Sequence, residues 1–149
     1  MPRALALARF ASRRRSTLPQ STFNPSYLLP IALGSALGGV GRYAVTTLVN
    51  DRADSAFPVG TLGVNILGCL LIGILVQLLA GRTSHMTQAL LTTGFCGGFT
   101  TFSAFSYESI RLIQEGLWQR AAAYVVLSVG LGLGAFWVGA TLVRGSASS

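Results

Sequence analysis

The chain has 149 residues, of which 51% are hydrophobic and only 10% are charged. A soluble domain carries about 25% charged residues, so this composition excludes an ordinary soluble protein and indicates one integral membrane domain. The net charge is +7, because basic residues outnumber acidic ones by 11 to 4. Five of the basic residues lie in the first fifteen positions: Arg3, Arg9, Arg13, Arg14 and Arg15. A basic tail ahead of apolar spans indicates membrane orientation and argues against a nucleic-acid-binding face.

Residues 1–26 form a basic N-terminal extension that contains Arg, Ser, Ala and Pro but no acidic residue. Its apolar run at 4–8 is shorter than the core of about 7–15 residues that a secretory signal peptide needs. We therefore expect a disordered tail. The same composition also describes an organellar transit peptide, so an organellar membrane stays an alternative to the cell membrane.

Four apolar stretches follow, and each is long enough to cross a bilayer as a helix, which takes about 20 residues. They cover residues 27–49, 57–80, 86–113 and 117–143. The links between them are short, so consecutive spans should be antiparallel neighbours. The sequence therefore predicts an all-α membrane protein with four transmembrane helices over 27–143 and a short C-terminal tail at 144–149.

The third span is interrupted by polar and flexible residues between positions 94 and 106. Gly97 and Gly98 each weaken a helix by about 1 kcal/mol relative to Ala, and the β-branched Thr100 and Thr101 add little helix preference. A break at membrane depth exposes backbone carbonyls, which is tolerated where protein or a water-filled cavity covers them, and transporters bind ions at such breaks. The alternative is an unbroken Gly-rich packing face whose hydroxyls bond to the preceding turn.

Polar side chains also occur inside the other spans, where they indicate function by default. Arg42 lies late in span one, Asn65 lies near the middle of span two, and Glu108 is the only acid within a span. Each has a structural alternative: Arg42 could reach the membrane surface, Asn65 could join two helices, and Glu108 could pair with an Arg or cap a neighbouring helix. Ser128, inside span four, would most often bond to its own helix.

Phe102 and Phe105 are three positions apart and therefore share one helix face. An aromatic ring has a positive edge, so two edges turned toward a narrow path could attract a bare anion without a fixed cation. The donors that could replace the lost water of such an anion lie nearby: Asn65, Thr101, Ser103 and Ser106. The alternative is a pair of packing or lipid-facing rings.

The pattern GFCGGFTTFSAFSYE at 94–108, with GRY at 41–43 and GTLGVNILG at 60–68, resembles the Fluc/CrcB family of fluoride-specific ion channels. The resemblance covers about residues 30–143 and implies an antiparallel, dual-topology homodimer, or an opposed pair of homologues, with two fluoride pores. It also implies roles for individual positions. These are pore residues at Phe102, Phe105 and Asn65, a vestibule Arg at Arg42, the third-helix acid at Glu108, and fourth-helix polar residues at Tyr124 and Ser128.

The resemblance further implies a structural sodium ion, which is not transported, held by the backbone carbonyls of Gly97 and Thr100. Two positions depart from the family pattern. Ala104 stands where a Thr or Ser is usual, and Gly132 stands one turn past Ser128 where a second hydroxyl is expected. Both departures remove hydroxyls from the predicted polar path and bear on the rate of conduction.

The expected function is therefore passive export of cytoplasmic fluoride. Fluoride enters a cell as the neutral weak acid and dissociates inside, and the membrane potential favours exit of the anion by about 2.3 kcal/mol per 100 mV. The sequence has no catalytic carboxylate pair, nucleophile–base set or phosphate loop, so an enzyme is not expected. Cys69 and Cys96 lie in apolar spans, and neither a disulfide nor a metal is assigned to them.

Two rival functions can be weighed against the same residues. A small four-helix multidrug exporter of dual topology needs a carboxylate in an early span, whereas span one has Arg42 and no acid. A non-transporting scaffold subunit of a membrane complex would not need a helix break beside Phe102 and Phe105. Fluoride flux through the protein alone in liposomes separates these three functions.

Overall fold

The computed structural model describes residues 23–53, 56–81 and 83–146, with side chains up to residue 143, and every regular element in these ranges is helical. The predicted basic extension lies outside the described residues up to position 22. A 3-10 turn at Pro25–Tyr27 leads into α1, Leu28–Asn50, and α2 follows at Val59–Leu79. The third span begins with α3, which combines His85–Gln88, the π-helical segment Ala89–Cys96 and Gly97–Phe99. It continues with α4, Phe102–Gln114, and α5 covers Trp118–Ser146.

Three stretches are long and apolar enough to cross a membrane unbroken: Pro25–Asn50, Val59–Leu79 and Trp118–Val143. The third predicted span is divided between α3 and α4. The 13 residues of α4 rise only about 20 Å, which is less than the hydrocarbon core of about 30 Å, so α3 and α4 are needed together for one crossing. The predictions of an all-α membrane protein and of a broken third helix are confirmed.

The break lies at two threonines whose backbones are extended. Thr100 has ψ 160° and Thr101 has φ −151° and ψ 117°. The Thr101 hydroxyl accepts the Ala104 N–H at 3.2 Å and so caps the start of α4. A residue with extended dihedrals and a side-chain oxygen on the first turn is the usual beginning of a new helix. The sequence thus ends one helix and starts another within two residues.

Glycines bring α1 into close contact with α3. A Cβ atom on Gly34 would overlap the Leu90 carbonyl oxygen, and one on Gly38 would overlap the Phe95 carbonyl oxygen. The contact is mutual, because a Cβ on Gly98 would meet the Ser35 backbone. Without side chains at these positions the two backbones approach closely, which is how membrane helices associate in the absence of a hydrophobic driving force.

The other main packing is between α2 and α5, which places the break between two helix pairs. Gly73 of α2 faces the Phe136 carbonyl, and Gly139 of α5 faces the Leu70 carbonyl. Where α4 reaches α5, Leu112 and Tyr124 are fully buried. The broken segment is therefore held by α1 on one side and by α2 and α5 on the other.

Candidate ion pathway at the broken helix

One side chain on α2 holds the break open. The Asn65 Oδ1 atom accepts the Thr101 N–H at 2.8 Å, and the Asn65 Nδ2 atom donates to the Thr101 carbonyl at 3.1 Å. Asn65 therefore joins two helices, as one of its sequence-based interpretations proposed. An amide nitrogen carries two donors, so this contact uses one of them, and Asn65 also lines a cavity. Asn65 therefore both joins α2 to the break and lines the cavity that forms the candidate path.

The contact with Asn65 changes the pairing of the helix end. The Thr100 N–H still donates to the Cys96 carbonyl at 3.0 Å. The next donor, the Thr101 N–H, turns to Asn65 and not to the Gly97 carbonyl four positions before it. Gly97 is exposed on the protomer surface, and a Cβ added there would have nothing within 4 Å. The exposed Gly97 thus lies at the end of α3, three residues before the break.

Next to the break is a cavity of about 380 Å³ between α2, α4 and α5, here called the aromatic cavity. Four of the predicted pore residues line it: Asn65, Phe102, Phe105 and Ser128. Thr100, Thr101 and Cys69 line it as well, and none of its lining residues is charged. The structure therefore brings together the polar and aromatic groups that the sequence placed on three different spans.

The two phenylalanines form the aromatic wall of this cavity. Their ring centroids are 5.5 Å apart and the planes are tilted by 41°. Phe102 is 79% exposed. Phe105 is anchored by a further ring contact to Tyr124, at 5.3 Å. The Phe105 ring is therefore held by packing within the chain, whereas the Phe102 ring is largely exposed.

The carboxylate of Glu108 is held by two hydroxyls. The Thr61 Oγ1 atom donates to one carboxylate oxygen at 2.8 Å, and the Tyr124 hydroxyl donates to the other at 2.7 Å. Both donors are buried, since Thr61 is 4% and Tyr124 0% exposed. Two hydroxyls, and not the Arg that the sequence analysis considered, therefore hold Glu108. Tyr124, predicted on the pore, stands fully buried behind Phe105 with its hydroxyl on Glu108.

A second cavity of about 320 Å³, here called the polar cavity, lies on the other side of the break. Arg42 and Glu108 both line it, together with Thr61 and Ala104. Thr101 lines both cavities, so the capping threonine is the wall between them. Arg42 thus lines a cavity that reaches Thr101 at the break, an arrangement compatible with its vestibule interpretation.

The remaining predicted hydroxyls differ in their surroundings. Ser103 lies 3.1 Å from the Thr101 hydroxyl, and Ser106 donates to the Phe102 carbonyl at 2.9 Å, yet neither lines either cavity. Ser128 does not bond to its own helix as most such residues do. Its Oγ atom is buried without a hydrogen-bond partner among the described residues, on the wall of the aromatic cavity.

Two contributors were missed by the sequence reasoning. Thr61 precedes Asn65 by four positions and so shares its face of α2, a spacing that could have revealed it. Asn50 accepts the Gly60 N–H at 3.2 Å and ties the end of α1 to the start of α2. No spacing rule connects Asn50 to Gly60, because they lie on different helices.

Comparison with known proteins gives a consistent result. Residues 29–140 match the family described as CrcB-like protein, camphor resistance. A fluoride-specific ion channel of Cereibacter sphaeroides is 47% identical over 120 residues, which are 80% of this chain and 96% of the relative. Its counterpart in Paracoccus denitrificans is 47% identical over 117 residues, 78% of this chain and 94% of the relative. The one in Flavobacterium psychrophilum is 45% identical over 116 residues, 76% and 94% of the two chains.

Proposed function

The chain belongs to the CrcB-like family, and on that premise we propose that it is a fluoride-selective channel through which cytoplasmic fluoride leaves the cell passively. The chain is a multi-pass protein of the cell membrane, with three unbroken spans and a fourth crossing divided at Thr100 and Thr101. The observation that carries the proposal is the uncharged aromatic cavity beside a broken helix that Asn65 caps.

Selectivity follows from the groups on the cavity wall. Fluoride is small and strongly hydrated, so it enters a narrow path only where closely spaced donors replace its water. The Ser128 hydroxyl and the Asn65 amide supply donors, and the edges of Phe102 and Phe105 supply weak positive potential. A fixed cation would retain a bare anion, whereas these groups let it move on. A larger anion such as chloride gains less from each donor and fits less well.

The polar cavity supplies the approach to this path. Arg42 gives it a positive group, which raises the local concentration of anions. Glu108 would repel anions, but Thr61 and Tyr124 occupy its two oxygens with hydroxyl donors. We assign to Glu108 the role of anchoring α4 against α2 and α5 at the edge of the path.

We propose that a second copy in the opposite orientation packs against the surface that carries Gly97 and Phe102. Backbone carbonyls without partners cannot face lipid, so the exposed backbone at Gly97 needs protein against it. The 79% exposure of Phe102 places one path-lining ring at the same surface. In the proposed homodimer, or opposed pair of homologues, Phe102 of each protomer reaches the path of the other.

A sodium ion fits the chemistry of the same face. A hard monovalent cation takes oxygen ligands, and half-helix ends with unwound carbonyls provide them. Gly97 and Thr100 lie at the end of α3, where the ladder of hydrogen bonds is released by the turn of Thr101 toward Asn65. We propose that these two carbonyls, used once by each protomer, hold a structural sodium ion that stays in place during conduction.

The experiment measures fluoride efflux from liposomes that contain only this purified protein. Efflux is started by a potassium ionophore, which lets potassium leave with fluoride and prevents an opposing membrane potential. A fluoride electrode records the fluoride that is released. We expect rapid fluoride efflux without a proton gradient and no comparable chloride efflux. A scaffold protein would give no flux, and an exporter would require a proton gradient. Equal fluoride and chloride flux would contradict selectivity.

A further inference from the structure

Cys69 of α2 places a thiol on the wall of the aromatic cavity. The residue is half-buried and lines the same cavity as Asn65 and Ser128. A Cβ atom added to Gly132 of α5 would lie 3.5 Å from the Cys69 Sγ atom. The sulfur therefore lies beside the backbone of Gly132, close to where the side chain of a larger residue at that position would begin.

The neighbourhood of this thiol contains an unsatisfied polar group. Ser128 lies one turn before Gly132 and so shares its face of α5. Its Oγ atom is buried and has no hydrogen-bond partner among the described residues, Cys69 included. A buried hydroxyl is seldom left unpaired, so such a group on a residue that lines a cavity points to a ligand or water in that cavity.

We propose that Cys69 lines the fluoride path beside Ser128, so that a thiophilic metal cation bound to its sulfur closes the path. The inference deepens the proposed channel function and rests on it. A thiol is a weak hydrogen-bond donor, and it occupies the side of the path where Gly132 offers none. Soft cations prefer sulfur ligands, and methylmercury suits a single thiol because it forms one bond. The S–H bond breaks, an S–Hg bond forms, and the proton goes to water.

Cys96 provides a matched control in the same protein. It also borders the aromatic cavity, but from α3 and with only 2% exposure. Cys69 is the more exposed of the two thiols, so it should react with a metal in the cavity before Cys96 does. The difference in exposure between two cysteines at one cavity thus separates a path-lining thiol from a thiol that only fills the core.

The test compares the unmodified protein, Cys69→Ser and Cys96→Ser in liposomes before and after treatment with methylmercury. Fluoride efflux and the intact mass of the same samples are both measured. The unmodified protein and Cys96→Ser should gain one adduct and lose most of their fluoride flux. Cys69→Ser keeps a small donor but has no thiol, so its flux after treatment should equal its own flux before treatment. If the serine variant does not fold, as judged by gel filtration, Cys69→Ala takes its place.

Three results would overturn the inference: an adduct at Cys69 without loss of flux, no adduct at Cys69 at saturating reagent, or equal block of the Cys69 variant. The failure of the channel function is distinguishable from all three. In that case the untreated protein shows no fluoride flux, while the adduct measurement still reports whether the Cys69 thiol is open to the cavity.

Discussion

At the scale of single residues, Asn65 decides where the third span breaks. A side-chain amide presents one acceptor and two donors, which matches the two backbone groups that an interrupted helix leaves unpaired. Asn65 bonds both of them on Thr101. The energetic role of Asn65 is therefore separable from any contact with fluoride, and stability measurements can detect it without a transport assay.

Replacing Asn65 with Leu should destabilise the fold, because the Thr101 N–H and carbonyl then lose their partners. Each unsatisfied buried group costs about 1–3 kcal/mol. The measurement is the thermal unfolding midpoint in detergent. Gln77→Leu, which removes an amide from the same helix away from the break, serves as the control and should unfold close to the parent temperature. Equal midpoints for both variants would show that the break does not need Asn65.

Tyr124 is the second residue whose effect can be measured directly. Tyr124→Phe keeps the ring contact with Phe105 but removes the hydroxyl that donates to Glu108 at 2.7 Å. A hydrogen bond to a charged group contributes about 1.5–3 kcal/mol, so we expect lower stability in chemical unfolding. Tyr107→Phe is the matched control, since Tyr107 lies on α4 next to Glu108 in the sequence and is 70% exposed. A stable Tyr124→Phe protein would mean that Thr61 alone satisfies the carboxylate.

At the scale of elements, local sequence predicted the position of the break and the lengths of the other spans. Gly97 and Gly98 followed by Thr100 and Thr101 carried the first prediction, and long apolar runs carried the second. The π-helical segment Ala89–Cys96 was not predicted, because its Thr and Gly residues indicate a weakened helix but do not specify wider hydrogen-bond spacing.

The sequence also could not predict which side chains on different helices form hydrogen bonds with each other. The pairing of Glu108 with Thr61 and Tyr124 depends on the rotation of three helices about their axes. A sequence predicts which residues share one helix face, but not which faces of two helices meet. The resemblance to known channels, and not periodicity, supplied the prediction that Asn65 and Ser128 lie on one path.

The α1–α3 crossing gives a prediction for elements. Gly38→Ala should destabilise the protein, since the new Cβ would overlap the Phe95 carbonyl and force the helices apart. Gly130→Ala, where the added Cβ meets nothing within 4 Å, should be neutral or stabilising, because Ala favours a helix by about 1 kcal/mol over Gly. The measurement is the thermal unfolding midpoint of each variant, compared with that of the parent protein. Similar behaviour of both would contradict a close crossing at Gly38.

At the scale of the whole molecule, the proposed opposed pair accounts for two exposed features of the single chain. Its path-lining Phe102 is 79% exposed, and the open backbone at Gly97 lies on the surface at membrane depth. Lipid can cover an exposed ring but cannot pair with a backbone carbonyl. The proposed opposed copy with a shared cation would cover both features at once.

Removing sodium should therefore abolish activity by separating or distorting the two breaks. The protein is purified and assayed in buffers where a bulky organic cation replaces sodium, and both fluoride flux and the mass of the protein–detergent complex are recorded. We expect flux to be lost and to return on addition of sodium, because a small cation lets the carbonyls of Gly97 and Thr100 converge while the organic one is too large to enter. Potassium is the control for ionic strength and should restore less, since a larger ion fits the same carbonyls less closely. Full flux in rigorously sodium-free buffer would remove the site, and the open face would then have to be satisfied by hydroxyls of the opposed copy alone.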